Sequence, residues 1–383
     1  MALARVLVVN AGSSSLKASL LDVGSRLAEP ARRDPLAATT VEWGSDATRF
    51  TDRRATLAAA IDGLLRDAGA DVIDGVGHRV VHGGERFREP TVVDDDVLAD
   101  LDEVSQLAPL HNPVAVETVR AARDVLPDVP HVAAFDTAFH VSLEPAAFAY
   151  PLPWEWRERW GVRRFGFHGL SVEWSVRRAA ELLGRSESEL SLVVAHLGSG
   201  CSVTAVAGGR SVATSMGLTP LEGLMMGTRA GSIDPGIILR LLAERRLPLE
   251  ELADVLDHGS GLLGVSGVSG DLREVEAAAR AGNERAALAI EMFVRRTAEG
   301  IASVASALDG LDAVVFTAGI GENAADVRAR IVERLAVLGV APIPSVAIMD
   351  DAILSAPGAS PAVLRIDARE DLIIAGVVAR FLA

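Results

Sequence analysis

The chain has 383 residues, 49% of them hydrophobic, and a formal net charge of −15, which is length enough for two domains with separate cores and too apolar a composition for a disordered chain. The acidic balance excludes nucleic acid or an anionic membrane as the main partner, since either needs a basic footprint, and no uncharged run approaches the length that spans a bilayer. Cys201 is the only cysteine, which excludes an internal disulfide and a cysteine-based metal site and, with no signal-like N-terminal segment, points to the cytoplasm.

In chain order, the apolar runs around a glycine and serine turn predict a hairpin over 5–22. Residues 55–68, rich in Ala and Leu, predict a helix leading to a short strand before His78. Residues 95–125 predict helix, broken at Pro109-Leu110-His111-Asn112-Pro113, and Val132–Phe135 predicts a buried strand ending at Asp136. Pro145, Pro151 and Pro153 then bracket Trp154, Trp156 and Trp160. The domain boundary is placed there, and the tryptophans read as core or interface packing rather than a ligand cage. A helix over 172–183, a second hairpin, helices over 236–245 and 283–307 and a strand over 313–316 come next. A last strand and helix near 361–382 are expected to pack back on the first domain.

The residues just past the apolar runs carry the chemistry. Val6–Val9 leads into Asn10-Ala11-Gly12-Ser13-Ser14-Ser15-Leu16-Lys17, and Leu192–Ala195 into His196-Leu197-Gly198-Ser199-Gly200-Cys201-Ser202, so one strand, turn, strand device occurs twice. Small residues at each turn let backbone N–H groups approach an anion, and the hydroxyls and Lys17 add donors. Either turn alone is better explained as an ordinary hairpin; the repetition favours a pair of phosphate loops. Asn10, Asp136 and His196 each stand just past a strand, where ligands bind in open α/β sheets. Arg79, His168 and Arg229 lie in glycine-flanked clusters that let a cationic side chain point into a cleft, although a single such arginine is ordinarily a surface residue. Thr317-Ala318-Gly319-Ile320-Gly321-Glu322-Asn323 lies after a strand and opens a helix. It lacks the third glycine of a dinucleotide fingerprint, which disfavours a nicotinamide oxidoreductase and suits a turn that touches a nucleoside.

Together these segments resemble the acetokinase family, in matching stretches that run in order from Asn10–Lys17 to Glu370–Ala375. The resemblance implies an α/β fold of two duplicated actin- or ribonuclease-H-like domains with a nucleotide cleft between them. Residues 1–148, with 371–383 packed back on them, would form the acyl side and 149–370 the nucleotide side. It implies reversible phosphoryl transfer from ATP to acetate, giving acetyl phosphate and ADP by direct in-line displacement, with Mg²⁺ (Mn²⁺ as a substitute) and in a homodimer. Arg79 and Arg229 match the family's two arginines on the carboxylate and the transferring phosphoryl, and His168 the histidine that stabilises the same charge. Asn10 and Glu370 match the metal-side residues. Asp136 matches an aspartate with an acid/base or positioning role; a carboxylate acceptor is already an anionic nucleophile, so Asp136 reads as an orienter of Arg79 or of metal-bound water.

The remaining matches are binding residues. Val81, Leu110, Phe167 and Pro220 match the apolar wall for the acyl tail, although any one alone reads better as core, and His111 would line the same cleft. Ser13, Ser15 and Lys17 match the first phosphate loop, and Val194, Ala195, His196, Leu197 and Gly198 the second. Asp271, Leu272 and Arg273 match a contact to adenosine, with Gly319, Ile320, Gly321, Glu322 and Asn323 as the turn beneath it. Three positions depart from the pattern: Ser199 stands for an asparagine, Val172 for a histidine and Ser232 for an acidic residue. The alternatives are a kinase for propionate or another short carboxylate, and an actin- or Hsp70-like ATPase, which needs the phosphate loops but not the acceptor-side arginines and pocket.

Overall fold

Unbroken apolar runs become central strands because both faces of a mixed sheet are covered, whereas alternating runs settle at the edges. The computed structural model describes residues 3–12, 15–24, 34–42, 53–109 and 111–383. In it β1 (Ala4–Ala11), β2 (Ser15–Val23) and β3 (Ala37–Glu42) form an antiparallel meander. β4 (Gly75–Val80) joins β1 in parallel, β6 (His131–Phe135) joins β4 in parallel, and the two-residue β5 (Thr91–Val92) closes the edge antiparallel. The sheet order is β3-β2-β1-β4-β6-β5. β1 and β6 have wholly buried centres, while β3 alternates.

The second sheet repeats the first strand for strand. β7 (Ser191–Leu197), β8 (Cys201–Ala207) and β9 (Arg210–Thr214) are the meander, β10 (Ala313–Thr317) and β12 (Ala362–Arg365) the parallel pair, and β11 (Ala352–Ile353) the antiparallel edge. Its order, β9-β8-β7-β10-β12-β11, has the same directions at every step. The fold is thus an α/β duplication. One unit comprises Met1–Val141, Phe167–Leu170 and Arg369–Ala383, and the other Ser142–Gly166 and Ser171–Ala368. The division falls at Val141 rather than at 148, and the short stretch containing His168 goes with the first unit.

Helices follow their apolar spacing. The expected helical stretch over 95–125 is two helices, Asp95–Val104, capped by Asp94, and Asn112–Val125, which has Pro113 in its first turn and buries Ala115, Val116, Val119 and Ala122. In the second unit Asn283 caps Glu284–Ala305, which buries Ala286, Ala289, Ile290, Phe293, Val294 and Thr297 and lies on β7 and β8. The helices Leu249–His258, Gly261–Ser266 and Ala325–Glu333 were not expected from the pattern. The tryptophan cluster is a short helix, Trp154–Trp160, with Trp154 and Trp160 53% and 59% exposed, which removes the core half of the expected core or interface packing.

The helix Glu370–Leu382 lies on β1, β2, β4 and β6 and buries Leu372, Ile373, Ile374, Val377 and Val378. Its close approach explains two glycines of β4. A Cβ at Gly75 would lie 2.8 Å from Val378 Cγ1; one at Gly77 would collide with Ile374 Cγ2 and lie 2.9 Å from Val378 Cγ2. Gly77→Ala is therefore expected to lower Tm, since overpacking costs about 1–3 kcal/mol, and Ile374→Ala in the same protein to recover part of the loss. A melting curve for Gly77→Ala that overlays the wild type would show that the helix has room to shift.

Candidate active site

β1, β4 and β6 run parallel, so the residues at their C-terminal ends arrive together. Arg79 forks onto Asp136, with Nε to Oδ1 at 2.9 Å and Nη2 to Oδ2 at 2.6 Å. Its Nη1 donates to Asn10 Oδ1 at 3.3 Å, and its Nε lies 3.4 Å from Glu370 Oε2. Asn10 Nδ2 also donates to Glu370 Oε2, at 3.4 Å. The Asp136 side chain is 1% exposed, a burial that a carboxylate tolerates only when paired. Burial opposes charge on Arg79, but Asp136 and then Glu370 outweigh it and raise its pKa. Lys17 stands directly across the β1–β2 ladder from Asn10, with its side chain exposed, and Ser15 opens β2. Ser13 and Leu110 lie outside the described residues.

His168 joins this cluster through its neighbour. Gly169 N–H donates to the Asp136 carbonyl at 2.9 Å, and a Cβ on Gly169 would collide with that oxygen and lie 2.8 Å from Phe139 Cβ. The clamp holds His168 at φ 59°, a region that non-glycine residues seldom adopt. Near Val81 and His111, Asn112 accepts from His82 N at 3.0 Å and donates to His82 O at 2.8 Å. That pair of hydrogen bonds fixes the Val81–His82 step against the start of a helix whose N-cap is His111. His82 meets the buried Phe167 edge-on, with ring centroids 5.2 Å apart. Val81, His111 and Phe167 are so linked within the first unit, and Pro220 belongs to the second.

In the second unit Thr317 pairs with His196 across β10 and β7, and His196 Nδ1 bonds Ser171 Oγ at 2.8 Å. This register sets the turn after β7 beside Ala318, which starts the helix Ala318–Asn323 at φ 65°. A Cβ on Gly198 would lie 3.6 Å from Ala318 Cβ, and one on Gly321 3.7 Å from Ala195 O. Gly227 sits where three segments meet: its N–H donates to Ser199 O at 3.2 Å, and a Cβ there would lie 2.9 Å from Gly270 O. Two residues on, Arg229 Nη1 donates to Pro220 O at 3.2 Å. Asp271 caps the helix Leu272–Arg280 by accepting from Arg273 N at 2.9 Å, and its carboxylate pairs with the Arg273 guanidinium. The turn after β7, the Arg229 segment, the Asp271 segment and the Gly319–Asn323 turn therefore form one neighbourhood.

A residue that the sequence did not single out supports that turn. Arg328, 1% exposed, donates through Nη1 to Gly321 O at 2.8 Å and Glu322 O at 2.7 Å, while Glu322 Oε1 accepts from Ala368 N at 2.8 Å. An arginine inside an amphipathic helix carries no mark of this role. For a metal, no group of three His, Cys, Asp or Glu among the described residues is arranged to hold one. Asn10, whose Oδ1 takes Arg79 Nη1, and the Glu370 carboxylate, which takes Asn10 Nδ2, bring hard oxygens from two neighbouring side chains. Such a pair fits a cation that keeps waters and takes its other ligands from a nucleotide's phosphates, as Mg²⁺ does.

The family model described as the acetokinase family matches residues 5–376. The chain belongs to the acetokinase family. Acetate kinase of Geobacillus kaustophilus (strain HTA426) is 44% identical over 392 residues, covering 99% of each chain, and that of Shouchella clausii (strain KSM-K16) is 45% identical over 353 residues, covering 88% of this chain and 89% of the other. Among solved structures, Porphyromonas gingivalis acetate kinase is similar with a TM-score of 0.86 at 33% identity, over 99% of this chain and 100% of that one. A propionate kinase from Francisella tularensis subsp. tularensis SCHU S4 is similar with a TM-score of 0.84 at 35% identity, over 98% of each. In this acetokinase the three departures are each built into the local structure. Ser199 lends its carbonyl to Gly227, Val172 is fully buried, and Ser232 exchanges hydrogen bonds with Gly223, N to O at 2.9 Å and Oγ from N at 3.1 Å.

Arg79→Lys keeps the charge and loses the fork. The expected outcome is a folded kinase with kcat lower by on the order of 10²–10³, the range for removing a preorganised charge-stabilising donor. Steady-state kinetics giving a kcat within a few-fold of wild type would take the fork out of catalysis.

Proposed function

We propose that this acetokinase is an acetate kinase, transferring the γ-phosphoryl group of ATP to acetate to give acetyl phosphate and ADP, reversibly and by direct in-line displacement. The observation that carries the reading is the Asn10, Arg79, Asp136 and Glu370 cluster: an acceptor-side arginine held by a buried carboxylate, beside two oxygen donors. An acetate oxygen attacks phosphorus, the new P–O bond forms as the bond to the ADP oxygen breaks, and no proton moves because acetate is already an anion. The obstacle is repulsion between anions, so catalysis rests on positioning and charge neutralisation. Both Asp136 oxygens are engaged by Arg79, which supports Asp136 as the orienter of Arg79 rather than a base. Arg79 would receive the carboxylate through its remaining N–H groups, and Arg229 and His168 would meet the transferring phosphoryl.

The other roles keep the same division. Asn10 and Glu370 would hold Mg²⁺, or Mn²⁺ in its place, which when bound neutralises phosphate charge. Ser13, Ser15 and Lys17 would contact phosphates from one loop and Val194–Gly198 from the other, with Asp271–Arg273 and Gly319–Asn323 at the adenosine. Val81, Leu110, Phe167 and Pro220 would wall the methyl group, with His111 beside them. The buried Cys201 and the lack of a helix long and apolar enough to cross a membrane among the described residues suit a cytoplasmic enzyme. A homodimer is supported by the helix Pro235–Glu244, which buries no residue although Ile237 and Leu239 are 48% and 68% exposed. Sedimentation at micromolar concentration should give twice the 40.1 kDa chain mass; a single-chain mass would remove the dimer.

The deciding experiment supplies ATP, Mg²⁺ and each of acetate, propionate and butyrate, traps acyl phosphate with hydroxylamine and reads kcat/KM. One methylene in an apolar pocket is worth roughly 1–3 kcal/mol, so a graded order is expected, with acetate first, propionate second and butyrate poor. Val81→Ala should move the order toward propionate, chiefly through KM. Equal ATP turnover without any carboxylate would sink the kinase reading, and a wild-type preference for butyrate would sink the choice of acetate.

A further inference from the structure

The loop that ends in Arg229 is anchored by polar residues that take no part in the chemistry above. The Glu222 carboxylate accepts from Tyr150 Oη and, at 2.6 Å, from Arg164 Nη2. Arg164 Nη1 also gathers the three carbonyls that precede the loop, Thr214 at 3.2 Å, Ser215 at 2.8 Å and Met216 at 2.9 Å. Tyr150 Oη in turn accepts from Leu218 N at 3.0 Å. One guanidinium and one phenol therefore hold both ends of the segment from Thr214 to Glu222. Gly217 lies inside this knot: a Cβ there would collide with Glu222 Oε2 and Tyr150 Oη, so the knot closes only around glycine. After Glu222, Gly223 turns at φ 110°, where a side chain would lie 2.9 Å from Ser215 O.

Pro220 stands inside the anchored segment, two residues before Glu222, and its carbonyl is where Arg229 Nη1 rests at 3.2 Å. An arginine side chain has several rotatable bonds, and a charge is useful in a transition state only when it is already in place. Its N–H groups cannot be fixed by a carbonyl that is itself loose. We propose that Glu222, held by Arg164 and Tyr150, is a positioning residue for Arg229, acting by fixing the Pro220 carbonyl on which the guanidinium rests. The role rests on the kinase reading, in which Arg229 meets the transferring phosphoryl group.

The test is a double-mutant cycle read in kcat, in the KM for ATP and in Tm. Glu222→Ala should lower kcat by about tenfold to a hundredfold, since small displacements of a catalytic group cost up to about 10²-fold, and should change the KM for ATP by less than about twofold. Glu222→Gln, whose amide oxygen still accepts from Arg164, should recover most of the loss. In an Arg229→Ala background, Glu222→Ala should lower kcat no further, because the two act as one unit; a merely structural Glu222 would give the same loss with or without Arg229. Tyr150→Phe removes one hydroxyl and should show the same pattern at smaller size, which keeps the cycle readable if Glu222→Ala does not fold. An active wild type with additive losses, or with Glu222→Ala at wild-type kcat, overturns the positioning role. A wild type without carboxylate-dependent turnover instead overturns the kinase reading, and this proposal with it.

Discussion

A carboxylate with 1% of its side chain exposed has to be paired, and the pairing of Asp136 with Arg79 is the constraint on which the first unit turns. Leaving a buried charge alone is far more destabilising than the pair itself is stabilising, so the fork fixes Arg79 before any ligand arrives. Because the two residues stand at the ends of neighbouring parallel strands, and because Arg79 also reaches Asn10 and Glu370, one guanidinium ties β1, β4, β6 and the helix Glu370–Leu382 together. The same Asp136 also accepts, through its backbone, the Gly169 N–H that holds His168 in a strained conformation. A single aspartate thus sets the place of an arginine with its side chain and of a histidine with its main chain.

The second unit solves a similar problem with different parts. Its sheet has the same strand order and directions as the first, but where Arg79 forks onto one buried aspartate, the buried Arg365 at the end of β12 divides itself between Asp367, at 2.8 Å, and Asp351, at 3.9 Å. There Gly227 lets three loops approach to backbone contact, and the buried Arg328 satisfies the carbonyls at the end of the short helix Ala318–Asn323. Glycine at a crowded point and arginine on orphan carbonyls are both ways to satisfy a backbone that leaves regular structure. The duplication gives two equivalent frames, and the side chains at the strand ends make them chemically unlike.

Much of this was legible in the sequence because central strands leave a plain mark. Asn10, Asp136 and His196 each come after an apolar run without alternation; Asp136 lies just past β6 as expected, whereas Asn10 and His196 are still paired residues near the ends of β1 and β7 rather than beyond them. Glu370 left no such mark: it opens a helix 360 residues from Asn10, and only the likeness to the acetokinase family picked it out. Side-chain pairs between distant segments were equally silent. His78 Nε2 and His131 Nδ1 lie 2.9 Å apart with their rings stacked, and burial, then the neighbouring His131, holds His78 well below the usual histidine range. That pairing depends on the register of β4 and β6, which no single run of residues states. β5 and β11, two residues each, are too short for any period to register. The core half of the tryptophan reading failed because aromatic residues are buried on average, whereas the helix Trp154–Trp160 buries none of its residues.

The first unit draws its pieces from both ends of the chain, with the second unit's residues lying between them. The sheet formed by residues 4–135 is covered on one side by the helix that begins at Glu370, and Gly75 and Gly77 are shaped to receive it. A polypeptide emerging from the ribosome presents that sheet hundreds of residues before its cover exists, and domains otherwise fold as they emerge. The strands made first therefore wait, with an apolar face open, until the other unit has been synthesised, and the cluster around Arg79 gains its glutamate in the same event that seals the core.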